Sequence, residues 1–128
     1  MDTTNKNEYL FYQGETLFSV KLFQRAYKKY SVVLEIIKKE KKQKIWKEEF
    51  SKKVINSLLA TLTKLEENGL SNYKYQTYVY SNHVNLWPKD KKSKLIYPKL
   101  FSIYHKNKKT DNSITVVKAY HTSFPQDI

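Results

Sequence analysis

Tyr73-Lys74-Tyr75-Gln76-Thr77-Tyr78-Val79-Tyr80 is the stretch whose reading decides the fold class. Tyr73, Tyr75, Thr77 and Val79 alternate with Lys74, Gln76, Tyr78 and Tyr80, and their aromatic and β-branched character suits a pleated surface. Read as a strand, the stretch opens a β-rich half covering residues 73–121. Val84–Trp87 is a further short run, and Leu95–His105 reads as extended, with Pro98 at an edge or bulge. Ser113–His121 is strongly β-branched. Together these segments predict an antiparallel sheet of three or four strands joined by tight or basic loops.

Upstream the period changes. Val20, Phe23, Ala26, Tyr27, Tyr30, Val33, Leu34 and Ile37 recur at three and four, the stripe of an amphipathic helix. A second stripe runs through Trp46, Phe50, Val54, Ile55, Leu58, Leu59, Leu62 and Leu65. It stops at Asn68-Gly69-Leu70, where Gly69 can take the left-handed position that ends a helix. One unbroken helix over 19–67 would be about 73 Å long, against a radius of gyration near ~14 Å for a domain of this length. The spacing therefore predicts a break near 38–45 and a helical hairpin; a protruding helix that dimerises is the alternative. Residues 1–7 are polar and read as loose. Glu8–Tyr12 and Thr16–Val20 flank Gln13-Gly14 and read as a short β-hairpin, or with the second run opening a helix. Helices followed by strands predict an α+β fold. The expected architecture is a single domain over 1–128, with the N-terminal helical hairpin packed on the C-terminal sheet.

Composition narrows the function more than any motif does. The 128 residues carry 24 Lys and Arg against 12 Asp and Glu, a formal charge of +12. Such a charge repels itself and calls for an anionic partner, of which a phosphate backbone is the simplest. Arg25 is the sole arginine. Lysine supplies point charge rather than the planar fork that reads guanine, so backbone or single-strand binding is favoured over sequence-specific reading. The lysine and tyrosine richness with two glycines is also what an AT-rich coding sequence produces, and it suits an accessory protein of a phage, virus or plasmid. Without cysteine there is no disulfide framework or thiol chemistry. Met1–Glu8 lacks the apolar segment of a signal peptide and no run matches a transmembrane helix. The expected location is the cytosol (the host's, if the protein is viral), with no membrane insertion, as a monomer or homodimer.

The candidate nucleic-acid contacts are Lys89, Lys91, Lys92 and Lys94, then Lys106, Lys108 and Lys109, with Tyr78, Tyr80, Trp87 and Tyr104 between or beside them. Lysines that follow a backbone and aromatic faces that stack on bases make the single-strand binding pattern. Catalysis has a narrower basis. Lys118-Ala119-Tyr120-His121 supplies a base, an acid and a cation of the kinds that metal-free RNA cleavage needs, with His105 a second histidine. In a strand, however, Lys118 and Tyr120 would face away from His121. No His-x-x-x-His, Asp-x-Asp or glycine-rich phosphate loop occurs, so neither metal nor cofactor is expected.

Helices followed by a small sheet ending in Ile114-Thr115-Val116-Val117-Lys118-Ala119-Tyr120-His121 resembles the small toxin ribonucleases of the RelE and colicin-nuclease type. The resemblance covers the last strand and the element order, and it implies metal-independent RNA cleavage; the arginines usual in that group are missing here. The leading expectation is a non-enzymatic nucleic-acid-binding protein. A metal-independent ribonuclease toxin and a mobile-element inhibitor of an acidic host protein are the alternatives.

Overall fold

The computed structural model describes residues 3–127, apart from the side chains of residues 3–5, and these form six helices and no strand. They are α1 (Thr3–Ser19), α2 (Phe23–Lys42), α3 (Glu48–Glu67), α4 (Tyr73–Leu86), α5 (Lys91–Lys106) and α6 (Thr110–Ser123). The expected α+β class is corrected to all-α. The sheet over 73–121 is three helices, and the hairpin over 8–20 is the body of α1. The likeness to toxin ribonucleases rested on that sheet and falls with it. Residues 1 and 2, part of the terminus read as loose, lie outside the described residues; α1 begins at Thr3.

The chain forms two compact units, the first ending at Ser71 and the second beginning at Asn72. In the first, α2 packs against both α1 and α3. Its buried side chains Ala26, Tyr27, Tyr30, Val33, Leu34 and Ile37 meet Val54, Ile55, Leu58, Leu62 and Leu65 of α3 in one core. Between the two stripes, α2 ends at Lys42 and α3 starts at Glu48. Gly14, expected at a turn, is buried in mid-helix because α1 crosses close over the Tyr30 ring.

In the second unit α5 packs against α4 and α6. The buried residues of α4 are Val79, Tyr80, Asn82, His83 and Val84, and those of α5 are Ser93, Ile96, Tyr97, Leu100 and Tyr104. Both sets recur at three and four, a helical period that the local two-residue alternation of Tyr73–Tyr80 concealed. Side-chain caps start both helices. Asn72 Oδ1 accepts the Tyr75 amide at 3.0 Å, and Asp90 Oδ1 accepts the Lys92 amide at 2.8 Å. Pro98 sits inside α5 on the exposed side rather than at a strand edge. It removes the amide that would bond the Lys94 carbonyl. The β-branched segment 113–121 is α6, which buries Ser113 and Val116 and is tied to α5 by a 3.2 Å hydrogen bond between the Tyr97 and Ser123 hydroxyls.

Helices α1, α2, α3 and α5 end by one repeated device. Lys21, Lys44, Gly69 and Lys108 have φ of 66°, 60°, 68° and 57°. At each, the amide of that residue bonds three positions back and the next amide five positions back. At Lys108 these are the His105 carbonyl at 3.1 Å and, from Lys109, the Tyr104 carbonyl at 2.9 Å. This is the Schellman stop, with lysine filling the glycine position at three of the four sites.

Candidate nucleic-acid interface

The lysines expected to contact phosphate are all exposed. Between residues 72 and 128 the chain carries ten lysines against three acids, +7 of the total +12. All ten lysines are exposed. Lys89 lies in the link before α5, and Lys91, Lys92 and Lys94 stand on its first turn, which has no acidic residue. A helix N-terminus already bears partial positive charge, so lysines there are placed against the dipole. The Asp90 cap offsets part of that repulsion. Lys106, Lys108 and Lys109 occupy the opposite end of α5, about 23 Å away at 1.5 Å per residue. The two clusters are therefore separate patches at the two ends of one helix.

The aromatic residues expected between those clusters are placed otherwise. Tyr80, Trp87 and Tyr104 are 9%, 8% and 9% exposed and belong to the core of the unit, while Tyr78 is half-buried. Tyr104 packs edge-on against Tyr73 with ring centroids 6.3 Å apart, and burial pushes its phenol above the ordinary value. Rings so enclosed offer no face to a base.

The catalytic candidates are likewise rearranged. As a helix, α6 puts Lys118 and His121 on one exposed face, three residues apart, which a strand would not have done. Tyr120 is engaged elsewhere: its hydroxyl donates to Asp127 Oδ2 at 2.8 Å, and the same oxygen accepts from Lys94 Nζ at 2.8 Å. The hydrogen bond to Asp127 holds the Tyr120 phenol above its usual value, and the bonds from Lys94 and Tyr120 hold Asp127 below the usual carboxylate range. A phenol so held keeps its proton at neutral pH and is no general base. The Tyr97 and Tyr120 rings, 5.7 Å apart, set the register of α5 against α6. His105 lies eight residues beyond Tyr97, about 12 Å farther along α5, and stacks on Phe101 at 5.8 Å. The structure does not bring His105 to His121.

One polar constellation was not visible in the sequence. Buried His83 and Ser93 are joined through Nδ1 and Oγ at 2.8 Å, and Ser93 Oγ donates to the Trp87 carbonyl at 2.5 Å. The serine proton is committed to that carbonyl, so the hydroxyl accepts from His83 Nδ1–H. This polarity is the reverse of an activated serine, and the pair latches the α4–α5 corner. Among the described residues, no three His, Asp or Glu side chains gather as a metal site, and no helix is long and apolar enough to cross a membrane. Comparison of the chain with protein-family models, curated proteins and solved structures finds no match.

Proposed function

We propose that this protein binds nucleic acid through the phosphate backbone, without cleaving it, and meets it in the cytosol. The observation that carries the reading is the exposed lysine cluster Lys89, Lys91, Lys92 and Lys94 at the start of α5, where four cations oppose the helix dipole and are only partly offset by the Asp90 cap and by the ion pair of Lys94 with Asp127. Such an arrangement costs stability in the free protein and is relieved when phosphates neutralise it. Lys106, Lys108 and Lys109 at the far end of α5 supply a second point of attachment. The buried Tyr80, Trp87 and Tyr104 play no part in contact; they hold the helix that spaces the two lysine patches.

The test is binding of a fluorescent oligonucleotide over a salt series. Affinity should fall steeply with salt, because each neutralised phosphate releases counterions. The fourfold variant Lys91→Glu, Lys92→Glu, Lys108→Glu and Lys109→Glu should lose binding. Unchanged affinity in that variant removes the proposal.

A second reading, an inhibitor of an acidic host protein, is favoured by one feature. A groove of about 190 Å³ between α5 and α6 is lined by Pro98, Phe101, Val116, Val117 and Tyr120. Val117 in this lining is exposed, as are Ile114 one turn before it and Lys118 next to it on α6. An apolar seam beside a cation fits an acidic amphipathic helix. A stable complex recovered after nuclease treatment, and lost in Phe101→Glu, would favour this reading.

A further inference from the structure

We infer that the groove between α1 and α2 is a contact site for single-stranded nucleic acid, where bases stack on Tyr9 and Tyr12 while Arg25 and Lys29 take the phosphates. The inference rests on the nucleic-acid reading above but concerns the first unit, which that reading does not use. The groove encloses about 440 Å³ and is lined by Tyr9, Tyr12, Gln13, Thr16, Leu17, Arg25 and Lys29, none of them acidic. Tyr9 and Tyr12 are 61% and 62% exposed. They stand three residues apart on one face of α1, whereas most of the chain's other tyrosines are buried or half-buried. Aromatic rings left in water contribute little to folding, and flat accessible rings are what unstacked bases bind.

The cations complete the match. Arg25 and Lys29 stand one turn apart on α2, about 6 Å along the helix axis. That step is comparable with the advance from one phosphate to the next along an extended strand. Arg25 also lines the adjoining groove with Lys21 and with Lys64 and Glu67, which pair with each other at 3.4 Å. The chain's sole arginine thus borders both grooves, where its planar fork can clamp a phosphate and also lie against a ring or base. Duplex nucleic acid hides its base faces within the stack, so the exposed rings select single strands.

The experiment uses the full chain with a fluorescein-labelled deoxythymidine 20-mer, the matched duplex, and poly-glutamate. The double variant Tyr9→Ser/Tyr12→Ser should bind the single strand about tenfold more weakly or worse and the duplex nearly as the parent does. Arg25→Ala should weaken single-strand binding also. Photocrosslinking with a bromodeoxyuridine-substituted strand should place the adduct on Tyr9 or Tyr12, a readout that does not depend on how well a variant folds. If the tyrosine variant binds the strand like the parent, and only the fourfold lysine reversal loses it, the groove inference is overturned while the nucleic-acid reading stands. If the parent binds neither oligonucleotide at low salt, both fall. Tyrosine-dependent binding of poly-glutamate with no strand crosslink would assign the groove to an acidic protein and overturn the inference.

Discussion

A Cβ placed on Gly14 would lie 2.6 Å from an edge carbon of the Tyr30 ring. That ring is fully buried, packs against Phe11 with centroids 5.7 Å apart, and is tethered by its hydroxyl, which donates to Glu15 Oε1 at 2.6 Å. The ring has no room to retreat. Glu15 in turn accepts from Ser57 of α3 at 3.0 Å, so the close approach at Gly14 locks three helices together. Burial and the neighbouring carboxylate push the Tyr30 phenol well above its ordinary value, and it stays a donor at all working pH.

Gly14→Ala should therefore destabilise the first unit. Alanine gains about 1 kcal/mol of helix propensity over glycine, but overpacking a tight core costs about 1–3 kcal/mol, and a ring with no escape puts the cost at the upper end. The expected net loss is about 1–2 kcal/mol by urea denaturation. In the Tyr30→Leu background the same substitution should cost much less, since the obstructing edge is gone. Equal costs in both backgrounds would refute the packing explanation.

Pro98→Ala should act in the opposite direction. Proline inside a helix costs about 3 kcal/mol through its missing donor and its ring. Pro98 is exposed and its backbone lies in mid-α5. Restoring the amide should raise the stability of the second unit by about 1–3 kcal/mol, read as a higher melting temperature. A fall would mean that the proline ring contributes more to the α5–α6 groove than the lost hydrogen bond costs.

Lys108→Gly should separate stability from binding. A left-handed backbone costs a side-chain-bearing residue about 1–2 kcal/mol, and Lys108 holds φ at 57°. Glycine should stabilise the α5–α6 turn by about 1 kcal/mol. The same change removes one phosphate contact, so the slope of log affinity against log salt should fall by about one. Stabilisation with an unchanged slope would take Lys108 out of the interface.

The Lys94–Asp127–Tyr120 cluster should give α6 a pH dependence. Asp127 is held below the usual 3.8 by Lys94 and Tyr120, so its contribution is fully present above that pH and is lost as pH falls through the lowered value. Lys94 is raised above 10.5 by Asp127, so its share is complete below that pH and disappears as pH rises through the raised value. Amide exchange in α6 should be slower in the parent than in Asp127→Asn at neutral pH, and the difference should begin to shrink below the usual carboxylate value of 3.8 and vanish once pH has fallen through the lowered Asp127 value. A constant difference across that range would exclude the carboxylate as its source.

Legibility differed sharply between the two units. The stripes of α2 and α3 could be read because each holds its three-and-four period for five turns, and because Asn68-Gly69-Leu70 ends the second with a local signal. The i, i+3 spacing of Tyr9 and Tyr12 is masked in the sequence by Gln13-Gly14, which has the composition of a hairpin turn, so their shared face with Arg25 emerges only once α1 is a helix. In the second unit Asn72 and Asp90 were start signals, each a capping residue just ahead of a helix. They were outweighed by tyrosine, threonine, valine and isoleucine on both sides.

By itself the sequence determined the basic charge, the lysine clusters, the two amphipathic stripes of the first unit and the glycine stop at its end. Only the tertiary structure decided that 73–123 is helical, and so that Tyr80, Trp87 and Tyr104 are core while the lysine patches lie at opposite ends of α5. The reason is one of magnitude. Strand-like side chains disfavour a helix by a few tenths of a kcal/mol each, a preference that shifts with surroundings. Burying Val79, Ile96, Tyr97 or Leu100 in a shared core is worth about 1.5–3 kcal/mol apiece. Those contacts between helices outweigh the local preference, and no short stretch of sequence contains them.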